Sequence, residues 1–490
     1  MTELSAAFSL APPGVPAKKW ARLEAFLGAL PAAAALRLFE TLETAGRADD
    51  ALPAAALLGV LRTRLIDAGA AFPPRRKSAS RLFFAPFEDF FVSRRRGRKR
   101  RARIDRAALA PIWGVLAGDP AMKGAAAAAA DLDGAIQRGD RDLAPLERAL
   151  FAEAGAGFSR LIADAEADAA FRADLAQRLG GDDAQAGAAA LHDLAEINHL
   201  IPLVPYLREA QRLFPRPVSS LTEEQLFEAR RLYADAAAAR PESAAYALLA
   251  VAARMDAPWR ALRLHYHLAG AADDDLPHAR ADAGLIVETL LEDLEGLARG
   301  LERDADDDPD TEDAPARLSH FAEFAGGMIA EAARAGDGAL CRRVEASRDI
   351  AAAALARFSE QALAAIRRIH PVRSAGGSTR LIALRPDIER PLDRLADRAA
   401  RAAAAFLNGA NALAEKLDRP DAAAGPVEDA VTETRRYAGD LVAEIRAAEG
   451  PLRVAAKKRM DATLAAAAPL LPEGEIALLK ERAAAAAVSA

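Results

Sequence analysis

The sequence predicts an all-α protein: a multi-helix bundle or an irregular helical-repeat-like array with no substantial β-sheet. Alanine-rich stretches with interspersed Glu, Arg, Asp and Leu run through the 490 residues, and these residue types are strong helix formers. The strand-favouring residues Val, Ile, Thr and Tyr are scarce. Aromatic residues make up only 5% of the chain, so each alanine-rich helix buries little area and many helices must share the core.

Apolar residues at intervals of three and four predict the helices of the N-terminal part. One helix is expected from about Ala17 to Leu30, a second around Leu36–Leu42, and a third around Leu57–Ile66. Trp20, Leu23 and Leu27 share one face of the first helix, which indicates a side turned toward a core.

Capping residues and prolines set the boundaries of later helices. Pro202 ends the helix that precedes it. Thr222 and Gln225 have the spacing of a capping box at the start of the next helix. Residues 372–386 are predicted as a non-helical connector, and a last amphipathic helix follows Pro472.

Gly, Pro and acidic residues divide the chain into four predicted parts. Residues 1–118 form an N-terminal helical unit that includes an aromatic and basic segment, residues 75–116. Residues 119–301 form a middle helical unit with a tetratricopeptide-like hairpin, although the positions diagnostic of that repeat do not recur. Residues 302–315 are predicted as an acidic linker, and residues 316–490 as a C-terminal helix bundle.

Cysteine count and hydropathy narrow the class of protein. Cys341 is the single cysteine, which excludes a disulfide within the chain and favours a reducing, cytoplasmic compartment. We expect no secretory signal, since the first residues lack a basic stretch followed by a sustained apolar run. No apolar run approaches the length of a membrane-spanning helix. The bias toward Ala, Arg, Gly, Asp and Pro is typical of GC-rich bacterial proteomes.

Five phenylalanines lie within nine positions just before a basic run. We predict a short helix that begins at Pro86, carries Glu88 and Asp89 in its first turn, and ends near Ser93. Asp105 is a suitable N-cap for the next helix. The helical spacing of the phenylalanines indicates core residues more than stacking platforms for bases. These residues are Phe83, Phe84, Phe87, Phe90 and Phe91.

The basic run is the strongest candidate for binding. Between Arg75 and Arg106, 13 Lys or Arg residues stand against three acidic ones, whereas the whole chain carries a net charge of −6. A local cationic patch on an acidic chain can bind phosphates, anionic lipid or an acidic protein surface, or it can be a solvated loop. The candidate partner- and anion-binding residues are Arg94, Arg95, Arg96, Arg98, Lys99, Arg100, Arg101 and Arg103.

One group of residues has the spacing of metal ligands. His192, Glu196 and His199 share one face of a predicted helix, and Glu196 and His199 have the Glu-x-x-His spacing of di-iron bundles. Those bundles need a second such pair, which the sequence lacks, so a structural polar stripe is the competing interpretation. Separately, arginines flank Gly376–Gly377, where they could hold an anion on a glycine-rich loop.

No other motif points to catalysis. The sequence contains no phosphate-binding loop, dinucleotide loop, HExxH, CxxC or GxSxG motif, and it predicts no catalytic residue and no cofactor. We therefore expect a non-enzymatic cytoplasmic scaffold or adaptor that binds a protein partner through helical surfaces, with the basic run as an electrostatic contact. Three alternatives stay open: a nucleic-acid-associated protein that binds phosphates non-specifically, a peripheral membrane protein with Phe90 and Phe91 as wedges, and a metal-dependent helical enzyme.

Overall fold

Alpha-helix predominates in the chain, which confirms the predicted fold class. The computed structural model describes residues 17–45, 54–67, 77–92, 102–270, 278–307, 313–375 and 383–488. The helices up to residue 200 are α1 (Ala17–Ala29), α2 (Ala32–Ala45), α3 (Ala54–Asp67), α4 (Ala79–Phe84), α5 (Leu109–Gly118), α6 (Lys123–Arg138), α7 (Ala144–Ala167), α8 (Ala169–Gly180) and α9 (Ala184–Leu200). The later helices are α10 (Val204–Leu213), α11 (Glu223–Ala239), α12 (Ala245–Ala252), α13 (Leu262–Gly270), α14 (Ala279–Asp307), α15 (Ala314–Arg334), α16 (Gly338–Arg368), α17 (Arg394–Lys416), α18 (Ala424–Ala447), α19 (Gly450–Ala467) and α20 (Glu473–Val488).

Within these described ranges, the extended structure consists of two small two-stranded pairings and one isolated bridge between Val218 and Met255. Strands β1 (Phe91–Val92) and β2 (Ile104–Asp105) pair in parallel, and β3 (Val372–Ala375) pairs antiparallel with β4 (Ala383–Pro386). The second pair confirms that the predicted connector is not helical at residues 372–375 and 383–386, and its residues 376–382 lie outside the described residues. Within the part of the chain that the structure describes, no helix is both long and apolar enough to cross a membrane.

Contacts between elements divide the chain into two units. The first comprises residues 1–83 and 129–147, and the second comprises residues 84–128 and 148–490. This division follows spatial contact and joins segments that are distant in sequence, so the four predicted parts, with boundaries at residues 118, 301 and 315, stay a prediction.

Helices α1, α2 and α3 provide the core of the first unit. Their buried side chains form one apolar cluster in which Trp20 and Phe39 are the largest members. The main-chain N–H of Ala79 donates to the Asp133 carboxylate at 2.7 Å, so residues from before and after the interruption in sequence contact each other within this unit. The remaining buried members of the cluster are Leu27, Ala35, Leu57, Leu61 and Leu65.

In the second unit, close helix packing depends on small residues. Helices α8 and α9 approach so closely that a Cβ atom on Gly187 would lie 2.2 Å from the Ala176 carbonyl oxygen. Farther along, the long helix α16 packs against α14, α15 and α17. At the C-terminal end, α18, α19 and α20 share an apolar cluster built on Tyr437, Leu441 and Met460.

Several predicted helix boundaries are confirmed by their caps. Thr222 and Gln225 form the reciprocal hydrogen bonds of a capping box at the start of α11. Asp105 accepts from the main-chain N–H of Ala107 at 2.9 Å and caps a 3₁₀ turn that leads into α5. Pro202 lies in a 3₁₀ turn between α9 and α10, which ends the first of these two helices.

The predicted helix from Pro86 to Ser93 is wrong in type and extent. Residues 85–90 form a 3₁₀ helix, Phe91 and Val92 form β1, and Ser93 lies outside the described residues. In a 3₁₀ helix, residues three apart share a face. This spacing exposes Ala85 and Glu88 and buries the two pairs between them, namely Pro86 with Asp89 and Phe87 with Phe90.

The predicted acidic linker overlaps a helix. Residues 302–307 form the last turns of α14, where Asp304 pairs with Arg317 and Asp306 pairs with Arg357 at 2.8 Å. These arginines neutralise part of the acidic charge on the segment of the predicted linker that is helical, which ends at Asp307. Residues 308–312 lie outside the described part of the chain, and α15 begins at Ala314.

Candidate partner-binding site

The structure describes the chain on both sides of the basic run. Seven of the eight candidate cations lie in residues 93–101, outside the described residues. The eighth, Arg103, is described, and so are the residues that precede and follow the run. The seven that fall outside are Arg94, Arg95, Arg96, Arg98, Lys99, Arg100 and Arg101.

The described segments on either side of the basic run pair with each other. Strands β1 and β2 pair in parallel register, with Phe91 opposite Ile104 and Val92 opposite Asp105. Neighbouring strands lie about 4.8 Å apart. The chain that carries the candidate cations therefore leaves and returns at adjacent points.

Buried carboxylates on α9 hold the returning end. The main-chain N–H of Ala102 donates to Glu196 Oε2 at 3.0 Å, and the Tyr246 hydroxyl donates to the same oxygen at 2.8 Å. One turn earlier on α9, Asp193 accepts from the main-chain N–H of Asp105 at 3.3 Å. Both carboxylate side chains are buried, and their i, i+3 spacing places them on one helix face. The main chain at residues 102–105 is thus tied to α9.

Two arginines at the returning end make contacts within the protein. Arg103 Nη2 lies 2.6 Å from Asp293 Oδ2 on α14, and both side chains are largely shielded from solvent. The Arg106 guanidinium lies over the Phe91 ring, 5.7 Å from its centroid. Arg103 was predicted to bind a partner, but the structure places its charge against a carboxylate of its own chain.

Asp89 holds the departing end. Its side chain is only 1% exposed, and Arg254 Nη1 lies 2.9 and 3.0 Å from its two carboxylate oxygens. Arg216 Nη2 lies 2.9 Å from Oδ1, and Gln211 Nε2 donates to Oδ2 at 3.3 Å. A buried carboxylate is tolerated when it is paired and hydrogen-bonded in this way. These bonds join the 3₁₀ helix before β1 to the helices around residues 211–254.

The phenylalanines before the run pack mainly as core residues, as the sequence predicted. In the second unit, the Phe87 ring meets Phe151 edge-on at 6.2 Å between centroids, and Phe90 meets Tyr246 at 5.9 Å. Phe90 is 1% exposed, so it is not available as a membrane wedge. Phe91 is half-buried.

The three candidate metal ligands differ in the exposure of their side chains. His192 and His199 are exposed, whereas Glu196 is buried and accepts from Ala102 and Tyr246. His192 Nε2 lies 3.9 Å from Glu196 Oε1. Across the described residues, no three His, Cys, Asp or Glu side chains are arranged to hold a metal ion. In the structure, Glu196 is a hydrogen-bond acceptor for the main chain at Ala102.

Arginines near the Gly376–Gly377 loop are matched by carboxylates. Arg373 Nη1 lies 2.9 Å from Glu389, and Arg373 and Arg385 each lie 3.7 Å from the buried Glu444. Arg380 and the two glycines lie outside the described residues. The carboxylate that these two strand arginines share is thus Glu444 of α18, and Arg373 also pairs with Glu389.

Sequence reasoning missed the residues that fix the two ends. Asp89 was taken for a residue of the first turn of a helix, and the sequence gives no signal that separates it from the neighbouring Glu88, which is exposed. Glu196 was singled out for its spacing to two histidines, and the sequence gave no sign that its carboxylate accepts from Ala102 and Tyr246. Tyr246 gave no local signal, because its hydroxyl contacts a residue 50 positions away.

Asp89, Glu196 and Asp293 each face a donor from the protein, which makes them supports of the chain at either end of the run. Comparison of the chain with protein-family models, with curated proteins and with solved structures gives no match.

Proposed function

We propose that the protein is a non-enzymatic helical scaffold or adaptor that binds an acidic surface of a protein partner through its basic run, residues 94–101. The many helices provide a framework, and the basic run provides the electrostatic contact. The single cysteine in 490 residues supports a reducing compartment, which we propose is the cytoplasm.

The observation that carries this proposal is the attachment of both ends of the run. Asp89, paired with Arg254, holds the chain before it, and Glu196, bonded to Ala102, holds the chain after it. Because the chain is attached on both sides of the run, the run loses less conformational entropy when it binds. This smaller cost favours association. A solvated loop with no binding role would have no need of two sets of buried charged contacts at its ends.

The charge distribution supports an anionic partner. Residues 94–101 contain seven cations and no acidic residue, on a chain whose net charge is −6. An acidic partner is attracted at this run and repelled by the rest of the surface on average. Such complementarity speeds association and fixes orientation.

Phe90 supports a protein partner over a membrane. Peripheral membrane proteins combine cations with apolar wedges. Of the two candidate wedges that the sequence offered, Phe90 is buried, and Phe91 is half-buried with the Arg106 guanidinium over its ring. Nucleic acid is negatively charged, as an acidic protein surface is, so the test includes a titration with DNA.

The test compares two variants with equal loss of positive charge. The first replaces all seven cations of residues 94–101 with Gln. The control replaces seven exposed arginines elsewhere, which are Arg22, Arg37, Arg141, Arg368, Arg390, Arg394 and Arg398. The partner is captured from source cells by cross-linking, identified, purified, and titrated against wild type and both variants.

We expect a partner with an acidic surface, and a Kd at least about tenfold weaker for the first variant than for the control at 0.1 M salt. Equal affinity of the two variants for that partner overturns the proposal. Duplex DNA is titrated in parallel over a range of salt concentrations. Tight binding that falls with a log–log slope of about −0.9 per contacted phosphate, and that the first variant loses, assigns the run to nucleic acid instead. Lipid vesicles with and without anionic lipid are tested as well. If the protein binds only the vesicles that contain anionic lipid, the basic run is assigned to membrane binding.

A further inference from the structure

Strands β3 and β4 form a two-stranded ribbon whose base is fixed to the second unit. The main-chain N–H of Asp387 donates to the Pro371 carbonyl at 2.8 Å, and the Tyr437 hydroxyl donates to the same carbonyl at 3.2 Å. Ile388, two residues after β4, is buried in the apolar cluster that α18, α19 and α20 share. The ribbon is therefore held in place by the helices beneath it.

The register shows which main-chain groups of β3 point away from β4. In an antiparallel pair, opposite residues alternate between those that exchange hydrogen bonds and those that do not. Asp387 and Pro371 are a bonded pair, so Arg373 belongs to the next bonded pair. Val372 and Ser374 fall between the bonded pairs. Their N–H and C=O groups therefore point outward, along the outer edge of β3.

Within the part of the chain that the structure describes, this outer edge is open. Val372, Arg373 and Ser374 are all exposed. No hydrogen bond joins the main-chain N–H of Val372 or Ser374 to another described residue. An unpaired strand edge is a template for pairing with a further strand, and a two-stranded ribbon gains stability from a third.

One face of the ribbon presents apolar side chains to solvent. Leu384 lies opposite Ser374, which makes Val372 and Leu384 diagonal neighbours on this face. They are 51% and 61% exposed. A strand added beside β3 would bury part of this apolar area if the residues it turns to the same face are apolar.

The opposite face of the ribbon carries two exposed arginines. Arg373 and Arg385 lie opposite each other, and their side chains are 42% and 59% exposed. Arg373 donates to Glu389 at 2.9 Å, whereas Glu444 lies 3.7 Å from both guanidinium groups, which is too far for a hydrogen bond. Both arginines therefore keep N–H donors that can bond to a further carboxylate. An acidic residue opposite Arg373 on an added strand is favoured, and a basic one is disfavoured.

The same charge argues against a second copy of this chain at the edge. The register that pairs both outward-pointing residues sets Val372 opposite Ser374 of the copy and Arg373 opposite its own counterpart. Like charges directly opposite each other destabilise a pair of strands.

We propose that the outer edge of β3 binds an extended segment of a protein partner in which apolar and acidic residues alternate. The main chain of the segment pairs with Val372 and Ser374, its apolar side chains cover Val372 and Leu384, and its acidic side chains meet Arg373. Strand addition to an exposed sheet edge is a general mode of peptide recognition. This site does not depend on the function proposed for the basic run.

The first experiment titrates a short blocked peptide in which Val and Glu alternate. The chain used carries Gln at the seven cations of residues 94–101, so that the basic run does not bind the peptide. Calorimetry should detect binding at peptide concentrations up to about 1 mM. A peptide with Lys in place of Glu should bind at least about fivefold more weakly, because Lys opposite Arg373 adds a like charge. No binding of the Val–Glu peptide, or equal binding of the two peptides, overturns the proposal.

Ser374→Pro tests the main-chain contact itself. Proline removes the outward N–H and leaves the bonds between β3 and β4 in place, as edge strands tolerate on their free side. This variant should bind the Val–Glu peptide at least about tenfold more weakly. Ser374→Ala keeps the N–H and is the matched control, and circular dichroism checks that both variants fold. Equal affinity of the two variants would rule out pairing at this edge.

Amide hydrogen exchange, followed by NMR, reads the edge before and after the peptide is added. The Arg373 amide should be protected in the free protein by its bond to β4. The amides of Val372 and Ser374 should exchange freely there and become protected when the peptide is bound. Protection of Ser374 in the free protein would show that the edge is already covered, by the chain itself or by a second copy, and overturns the proposal.

Discussion

Glu196 Oε2 accepts the main-chain N–H of Ala102 at 3.0 Å, although the two residues are 94 positions apart in sequence. The carboxylate is buried, and the same oxygen accepts the Tyr246 hydroxyl. One side chain on α9 therefore fixes both a helix of the framework and the main chain where the basic run ends. The proposed binding function depends on this attachment, since it presents the cations from a defined base.

Replacing Glu196 with Leu should destabilise the second unit by about 2–4 kcal/mol, because two buried donors lose their acceptor and each costs about 1–3 kcal/mol. Denaturant unfolding followed by tryptophan fluorescence measures the change. Hydrogen exchange should quicken most at the Ala102 amide. Glu196→Gln keeps an acceptor oxygen and should cost less. His192→Gln is the control on the same helix, and an equally large loss there would contradict the assigned role of Glu196.

Asp89→Asn should destabilise the second unit by about 3–5 kcal/mol, which is the usual effect of breaking a buried ion pair. The substitution leaves the Arg254 guanidinium without its full counter-charge in a site where the Asp89 side chain is 1% exposed. The neighbouring Glu88→Gln is the matched control, because Glu88 is exposed and should change the free energy of unfolding by less than about 0.5 kcal/mol. Similar effects of the two substitutions would show that Asp89 is not the anchor of the departing end.

Features that depend on a few neighbouring residues were predictable from the sequence. The structure contains the predicted capping box of Thr222 and Gln225 and the predicted cap at Asp105. It also shows extended chain at both described ends of the predicted connector, residues 372–375 and 383–386. All three features follow from local chemistry. The 3₁₀ helix at residues 85–90 was missed because the three-residue spacing of its buried side chains depends on the core that they contact. Phe87 and Phe90 face one part of the core, and Asp89 faces Arg254.

Features encoded by distant residues were not predictable. The sequence marked Glu196 as chemically unusual, but its partners are Ala102 and Tyr246, on either side of it in sequence. Helical spacing to His192 and His199 suggested a metal site, because spacing is visible in sequence and burial is not. Arg103 was likewise counted with the basic run, and only the position of Asp293 distinguishes it.

Gly187→Ala should destabilise the second unit by about 1–3 kcal/mol, since the added methyl group would meet the main chain of Ala176 and force α8 and α9 apart. Gly439→Ala is the control. It lies on an exposed face of α18 with no atom within 4 Å of the added carbon, so better helix propensity should stabilise the protein by about 0.5–1 kcal/mol. Thermal unfolding of both variants gives the sign of each change, and a stabilised Gly187→Ala protein would contradict the close crossing.

His370 should make the stability of the second unit depend on pH in a defined window. Burial lowers the pKa of His370 from the ordinary value of 6.5 to about 4, an effect that Glu433 opposes and Arg459 reinforces. Between these two values the unfolded chain binds more protons at this residue than the folded chain does. The free energy of unfolding therefore falls as the pH falls from 6.5 to 4, by up to about 3 kcal/mol at 1.36 kcal/mol per pH unit.

Carboxylates titrate over part of the same range, so the contribution of His370 is measured as a difference. Urea unfolding of wild type and of a His370→Gln variant is compared at pH 7, 6, 5 and 4. The variant has no titrating group at this position, so its stability relative to wild type should improve steadily as the pH falls below 6.5. Parallel profiles across this range would mean that the imidazole can be protonated in the folded protein without cost, in conflict with its burial against Tyr437.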